Sequence, residues 1–204
     1  MSEFDIVVYG ASGFTGRHAA EYLAANAPEG LRWAVAGRTE SKVRAVADAT
    51  GAHEVIVADS TDTKSVSNMV ARTKVLLTTA GPYGRYGTPV VEACVDHGAD
   101  YVDITGETPW VREMIDRFHD RAKGEGTRIV PFCGFDSVPG DIGALWMAEH
   151  FRERGTGTRR VSASYKMKGG LNGGTLQTML DSGESGTGRA FGNWFLINPD
   201  GYRG

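Results

Sequence analysis

Three glycines recur at every third position in Gly10-Ala11-Ser12-Gly13-Phe14-Thr15-Gly16, directly after the largely apolar run Phe4-Asp5-Ile6-Val7-Val8-Tyr9. Glycine permits a tight turn and lets a diphosphate approach with no Cβ in the way. A helix that opens at such a turn aims free N–H groups and the positive end of its dipole at that anion. The spacing alone says little, because glycine is common in turns. Placed between a strand and the helical stretch Arg17–Ala25, it predicts a dinucleotide site built on Gly10, Ser12, Gly13, Phe14, Thr15 and Gly16. The competing reading is a structural turn in a nucleotide-free α/β domain.

The end of the second predicted strand reads Ala36-Gly37-Arg38-Thr39. Folds that bind NAD commonly place a carboxylate there, about twenty residues past the glycine turn, to hold the ribose hydroxyls. Here the position is Arg38, and a guanidinium makes a charge-assisted fork to phosphate oxygens. Ser12, Thr39 and Lys42 add donors, so the predicted cofactor is NADP(H) over NAD(H). Asp59, after the third strand, is a candidate for the adenine side or for a helix N-cap. Thr78-Thr79-Ala80-Gly81-Pro82-Tyr83-Gly84 follows the fourth strand, where the small turn Ala80, Gly81, Pro82 and Tyr83 would let a nicotinamide ribose lie against the backbone.

Acids and phenols cluster at the same predicted rim. Tyr83 and Tyr86 are the nearest phenols, serving as proton donor or as packing and substrate-stacking rings. Asp103 and Glu107 close the fifth strand, and Asp136 and Asp141 follow the sixth. Four carboxylates could bind a cationic substrate, hold a proton or cap helices; Tyr83 and Asp136 are the catalytic candidates. His97 and His119 fall on predicted helices away from the strand ends. Cys94 and Cys133 stand far apart with no metal-ligand spacing, so they read as buried free thiols and no metal site is expected.

These residues need a scaffold, and the chain alternates strand and helix up to about His150. Strands are predicted at Asp5–Tyr9, Arg32–Ala36, Glu54–Ala58, Lys74–Thr79, Asp100–Ile104 and Arg128–Phe132. Helices are predicted near Gly16–Ala25, Glu40–Ala49, Thr63–Arg72, Pro89–Gly98, Pro109–Lys123 and Val138–Phe151. The strands are short, rich in Val and Ile and apolar on both faces, as buried parallel strands are. Thr88-Pro89 and Thr108-Pro109 each place a hydroxyl before a proline, which predicts capping threonines. Six βα units in series specify an α/β, Rossmann-type, doubly wound parallel sheet.

Among 204 residues, 41% are hydrophobic and 23% charged, with a net charge of −3, an ordinary globular balance. With no basic stripe, a nucleic-acid partner is not expected. No run is long enough to span a bilayer, and the start lacks a basic-then-apolar leader. The predicted location is cytoplasmic, with membrane association as the alternative. Of 28 glycines, ten fall in the last 36 positions, and the pattern changes after Gly155. Val161, Ala163, Tyr165 and Met167 alternate with polar residues, predicting a strand; Leu176, Met179 and Leu180 predict a short helix. Domains are therefore expected at 1–152, the nucleotide-binding unit, and 153–204, the start of a truncated α+β domain whose remaining strands are absent.

Together the motifs GASGFTGR at 10–17, AGR at 36–38, TTAGPYGRYG at 78–87, VVEACVDHGADYVDITGE at 90–107 and CGFDSVPGDIG at 133–143 resemble the saccharopine dehydrogenase-like oxidoreductases, and within them the branch of bacterial trans-acting enoyl reductases. The resemblance implies NADP(H)-dependent oxidoreduction, with the cofactor at Gly10, Ser12, Gly13, Phe14, Thr15, Arg38 and the 80–83 turn. It implies a second domain for substrate and homodimer contacts, and members that run well past residue 204. In the enoyl branch the substrate is an unsaturated polyketide or fatty chain delivered by a lipid synthase. Three functions stay open at this point: reduction of an enoyl C=C bond, saccharopine-type C=N chemistry on an amino acid, and a non-catalytic NADP-binding module docking on a lipid synthase.

Overall fold

β1 (Phe4–Tyr9) is the centre of a sheet whose strand order is β3-β2-β1-β4-β5-β6, every pairing parallel. The other strands are β2 (Trp33–Gly37), β3 (Val55–Val57), β4 (Thr73–Thr78), β5 (Asp100–Asp103) and β6 (Ile129–Val130). The helices are α1 (Phe14–Asn26), α2 (Glu40–Thr50), α3 (Thr63–Val70), α4 (Tyr83–Tyr86), α5 (Thr88–His97), α6 (Thr108–Glu125) and α7 (Val138–Glu153). This computed structural model describes residues 2–166, 168, 170, 173, 195–199 and 201.

Alternation along the central strands produces two cores. Val8 of β1 and Trp33 and Val35 of β2 face one side, against Ala20 of α1 and Val43, Val46 and Ala47 of α2. Val7, Tyr9, Ala34 and Ala36 face the other, against α3, α5 and α6 through residues such as Met69, Val91 and Phe118. Because both faces are covered, β2 is buried at all five positions. Each Val or Met side chain so buried contributes about 1.5–3 kcal/mol relative to exposure. The strand order reverses between β1, which pairs with β2 on one side, and β4 on the other. Such a switch point opens a crevice at the carboxyl ends of the strands.

Helix starts differ from the capping expectation. Thr88 and Thr108 are the first residues inside α5 and α6, the cap positions being Gly87 and Glu107, and neither helix has a side-chain cap bond. With proline one residue further on, the threonine hydroxyl is carried into the helix and away from the orphan amides. Thr88 Oγ1 instead accepts the indole N–H of Trp110 at 3.0 Å. Asp62 caps α3, its carboxylate accepting the Lys64 amide at 3.0 Å. β6 is two residues long, shorter than predicted, and α4 was not predicted at all.

Past α7 the described chain departs from the predicted alternation. Residues 161–166 form no strand, and Val161 and Tyr165 are exposed. An isolated strand leaves its ladder groups unpaired, and among the described residues no strand lies beside this segment. Met167, Leu176, Met179 and Leu180 lie outside the described residues, as does most of the proposed second domain. Among the described residues no helix is long and apolar enough to cross a membrane.

Candidate cofactor site

The glycine turn sits at the strand-order switch and is held by its neighbours' backbones. Gly10 N–H and Ala11 N–H both donate to Ala36 O of β2, at 3.0 and 3.2 Å, and Gly13 N–H donates back to Gly10 O at 2.9 Å. Gly10 has φ +83°, a left-handed conformation open to glycine. Gly16 serves closeness of approach: a Cβ there would lie 2.3 Å from Gly10 O and 2.7 Å from Thr79 Oγ1. Thr79 Oγ1 in turn reaches Gly10 O at 3.3 Å, tying the end of β4 to the turn across 69 residues of sequence. α1 then begins at Phe14 with Gly13 as its cap and no side-chain cap, so its first-turn amides are open to an anion.

In front of this turn opens a cleft of about 570 Å³. It brings together Gly10, Ser12, Gly13, Arg38, Thr39, Asp59, Ala80, Gly81 and Pro82, nine of the residues singled out from sequence. Arg38, Lys42 and Arg85 line it against a single carboxylate, Asp59, so its fixed charge suits a polyanion. The residues fit a phosphorylated dinucleotide. The β2 end offers a guanidinium, an ammonium and two hydroxyls (Arg38, Lys42, Ser12 and Thr39), with no acid at the β2 tip to repel a 2′-phosphate.

Asp59 is not the cap of α3. Its Oδ1 accepts the amide and hydroxyl of Thr61 at 2.9 and 2.8 Å. Those bonds, the amide first, hold its carboxyl below the usual range, with a smaller contribution from Arg38. The carboxylate is thus favoured in its ionised form at the cleft wall. Tyr9, Ser60, Thr61 and Arg85 also line the cleft and were not anticipated. Tyr9 lies in the strand pattern and reads as core, which its 3% exposure bears out for the ring. Burial pushes its phenol above the ordinary range, partly offset by a hydrogen bond with the Ser60 side chain. Arg85 carried a signal in its position within the β4 turn motif.

Phe14, Thr15, Gly16, Tyr83 and Asp136 do not line the cleft. Phe14 is 70% exposed and packs edge-on against His18, with ring centroids 4.7 Å apart. Tyr83 points inward, which corrects its reading as a proton donor. It is 6% exposed, its hydroxyl donates to Thr78 O at 3.1 Å, and its ring packs 5.8 Å from Trp110. Burial, reinforced by Asp103, pushes its hydroxyl well above the ordinary phenol range. Of the two tyrosines of α4, Tyr86 is the one that lines the cleft, with the Arg85 guanidinium 5.4 Å from its ring centre. Tyr83→Phe is therefore expected to cost about 1 kcal/mol of stability and to leave turnover within roughly twofold, where a proton donor's loss would cost about 10²–10⁴. Thermal melts and steady-state rates on the variant separate the two.

The four rim carboxylates have separate fates. Glu107 clamps the α4 turn from the far side, accepting Tyr83 N–H at 2.7 Å and Gly84 N–H at 2.8 Å. Asp103 is 1% exposed and stitches β5 to the chain after β6, accepting from Tyr101 Oη (2.7 Å), Thr105 N (3.0 Å) and Phe132 N (3.1 Å). Burial raises its carboxyl despite those donors. The Phe132 bond helps hold that residue at φ +63°, a conformation uncommon outside glycine. Asp136 and Asp141 are exposed, and α7 has no side-chain cap bond, so neither Asp136 nor Ser137 caps it. Cys94 is buried as expected, but Cys133 is exposed.

Sequence and structure comparisons agree with this architecture. A trans-acting enoyl reductase of Mycobacterium tuberculosis is 41% identical over 188 residues, covering 88% of this chain and 44% of that protein. A lipid droplet localized protein of Caenorhabditis elegans is 40% identical over 194 residues, covering 88% and 45%. The chain spans about half the length of the curated relatives it matches. In structure, saccharopine dehydrogenase (L-Glu forming) from Saccharomyces cerevisiae superposes with a TM-score of 0.63 at 23% identity, over 74% of this chain and 32% of that one. That likeness establishes the fold. The sequence pattern of the saccharopine dehydrogenase NADP binding domain matches residues 6–130, from β1 into β6 and across the whole glycine turn and cleft. The chain belongs to the saccharopine dehydrogenase NADP-binding domain family.

Proposed function

We propose that this chain is the NADPH-binding half of an oxidoreductase that reduces the C=C bond of an enoyl thioester on a fatty or polyketide-type chain. The observation that carries it is the cleft itself: Arg38 stands at the β2 tip across from the Gly10–Gly16 turn, in a lining with three cations and one carboxylate. When bound, NADPH supplies the hydride. The chain's own residues do the rest. The α1 amides and the glycine turn seat the diphosphate, and Arg38, Lys42 and Ser12 grip the 2′-phosphate. The Ala80–Pro82 backbone, held by Thr78 and by Glu107 behind α4, presents a flat wall for the nicotinamide ribose. Tyr86 is the phenol positioned to give a proton to the carbon that does not receive hydride.

The enoyl substrate is favoured by the names of relatives at about 41% identity. Their description as trans-acting supports a substrate delivered by a separate lipid synthase. The C. elegans relative's name supports association with a lipid surface as the location. Asp136, exposed at the base of α7, is a second candidate acid from its place after β6, and the family resemblance favours a homodimer through the region after residue 152.

The test follows NADPH absorbance in the whole protein on adding a trans-2-enoyl thioester. The expected outcome is saturable loss of absorbance, at least tenfold faster with NADPH than with NADH. Tight NADPH binding with no consumption on any enoyl thioester would overturn the reduction and leave a binding module.

A further inference from the structure

The cofactor cleft carries a cation that the cofactor's phosphates leave unused. Arg38 and Lys42 stand with Ser12 and Thr39 at the β2 end, while Arg85 belongs to α4, just after β4. A doubly wound sheet seats the two halves of a dinucleotide on opposite sides of its switch point. β2 and β4 flank β1, which sets them about 10 Å apart at the usual strand spacing. Arg38 and Arg85 therefore serve different ends of a bound dinucleotide. With the 2′-phosphate at β2, Arg85 stands on the nicotinamide side, where substrate must reach the cofactor.

Among the described residues Arg85 makes no ion pair and no hydrogen bond; its contact is the Tyr86 ring, 5.4 Å from the guanidinium. The carboxylate lining the cleft, Asp59, follows β3 on the opposite side. The backbone beneath Arg85 is pinned at both ends to α6 and the residue before it. Glu107 accepts Tyr83 N–H and Gly84 N–H through its two oxygens. Gly87 lies so close under Trp110 that a Cβ would come 2.6 Å from the indole ring. A cation with its charge unneutralised, carried on a backbone already in place, suits charge that develops only during reaction.

We propose that Arg85 is a catalytic residue that holds the thioester oxygen of the enoyl substrate, an assignment that rests on the enoyl reading above. Hydride added at C3 pushes the C2=C3 electron pair toward the thioester carbonyl, whose oxygen becomes an enolate oxyanion. Arg85 donates N–H bonds to that oxygen as its charge forms. C2 then takes a proton from Tyr86, the carbonyl is restored, and Tyr86 regains a proton from solvent. The balance is one hydride and one proton added to the alkene, with NADPH oxidised to NADP+. Arg85 and Tyr86 are adjacent and both line the cleft, which matches the two substrate atoms they serve, C2 and the carbonyl oxygen, only two bonds apart.

Three measurements on the whole protein test this. With NADPH and a trans-2-enoyl thioester, Arg85→Met should lower kcat about 10²–10³-fold, and Arg85→Lys, which keeps the charge but not the fork, should lose less. NADPH and NADH binding, read by the fluorescence of the reduced nicotinamide, should be unchanged in both variants. Acetoacetyl thioester gives a readout without hydride transfer. With NADP+ present, wild-type protein should shift the bound ligand to its enolate, seen as a rise in near-ultraviolet absorbance, and R85M should abolish that rise. Arg85 is exposed, so both variants fold. Wild-type kcat in R85M, or an enolate band that is absent from wild type or undiminished in R85M, overturns the assignment. So does weaker binding of both cofactors, which would place Arg85 on the diphosphate. A wild-type protein that forms the enolate band but consumes no NADPH on any enoyl thioester overturns the enoyl reduction itself, and with it the step given to Arg85.

Discussion

Gly16→Ala is expected to lower stability by about 3 kcal/mol, at the upper end of overpacking costs. For a chain of this size that is a fall of roughly 6–12 °C in melting midpoint. The added methyl would lie 2.3 Å from Gly10 O and 2.8 Å from Gly10 C, both backbone atoms that cannot rotate away. Relief therefore requires α1 to move off the turn. That motion separates the first-turn amides from the seat of the diphosphate, and NADPH affinity should fall by roughly a hundredfold, as misplacement by about an ångström does at catalytic sites. The control is Gly124→Ala in the last turn of α6, where a Cβ meets nothing within 4 Å. The same chemical change there should be neutral or stabilising by up to about 1 kcal/mol. Equal melting points for the two variants would refute the close-approach role of Gly16.

Arg38→Ala carries the second large effect, and it is selective. Hydrogen bonds to a charged group contribute about 1.5–3 kcal/mol. NADPH should therefore bind roughly 10- to 150-fold more weakly, while NADH, which lacks the 2′-phosphate, should change by less than about threefold. Fluorescence titration of the reduced nicotinamide reads both. The NADPH loss should shrink as ionic strength rises, because Arg38 is exposed and its field is screened. Arg38→Glu should go further and improve NADH binding, since a carboxylate at this strand end accepts the ribose hydroxyls. A variant that weakens both cofactors equally would place Arg38 outside the phosphate site. Stability should barely move in either variant, which separates this result from that of Gly16.

Much of the frame was legible because its causes are local. Val7 and Val8 are both apolar, and a strand apolar at consecutive positions must be covered on both faces; β1 is indeed buried between two helical layers. The glycine spacing was legible for a similar reason, since the φ of +83° at Gly10 is one that its lack of a Cβ permits. Arg38 could be placed because the end of a strand fixes the start of the loop after it.

Where side chains choose among distant partners, the sequence was silent or misleading. Tyr83 and Tyr86 are three residues apart in the same motif, yet one turns into the core and the other lines the cleft. The choice is made by Glu107, which pins the Tyr83 amide from 24 residues away, and by Trp110 against its ring. The capping threonines failed for the same reason: Thr88 is spent on Trp110, 22 residues on. Nothing in the sequence around the end of α6 announced that the buried Thr127 hydroxyl would find no partner among the described residues.

By itself, then, the sequence determined the βα order, the sheet's two-sided burial, the glycine turn at the switch point and the basic residue at the end of β2. Each of these depends on backbone sterics and on periodicity within about ten residues. Only the tertiary structure decided which tyrosine of α4 meets the cleft, that Asp59 accepts from Thr61 while Asp62 caps α3, and that Thr79 reaches the glycine turn from the end of β4. Those outcomes turn on strand register and on contacts between elements far apart in the chain. A side chain's own identity allows several such partners, and packing selects one.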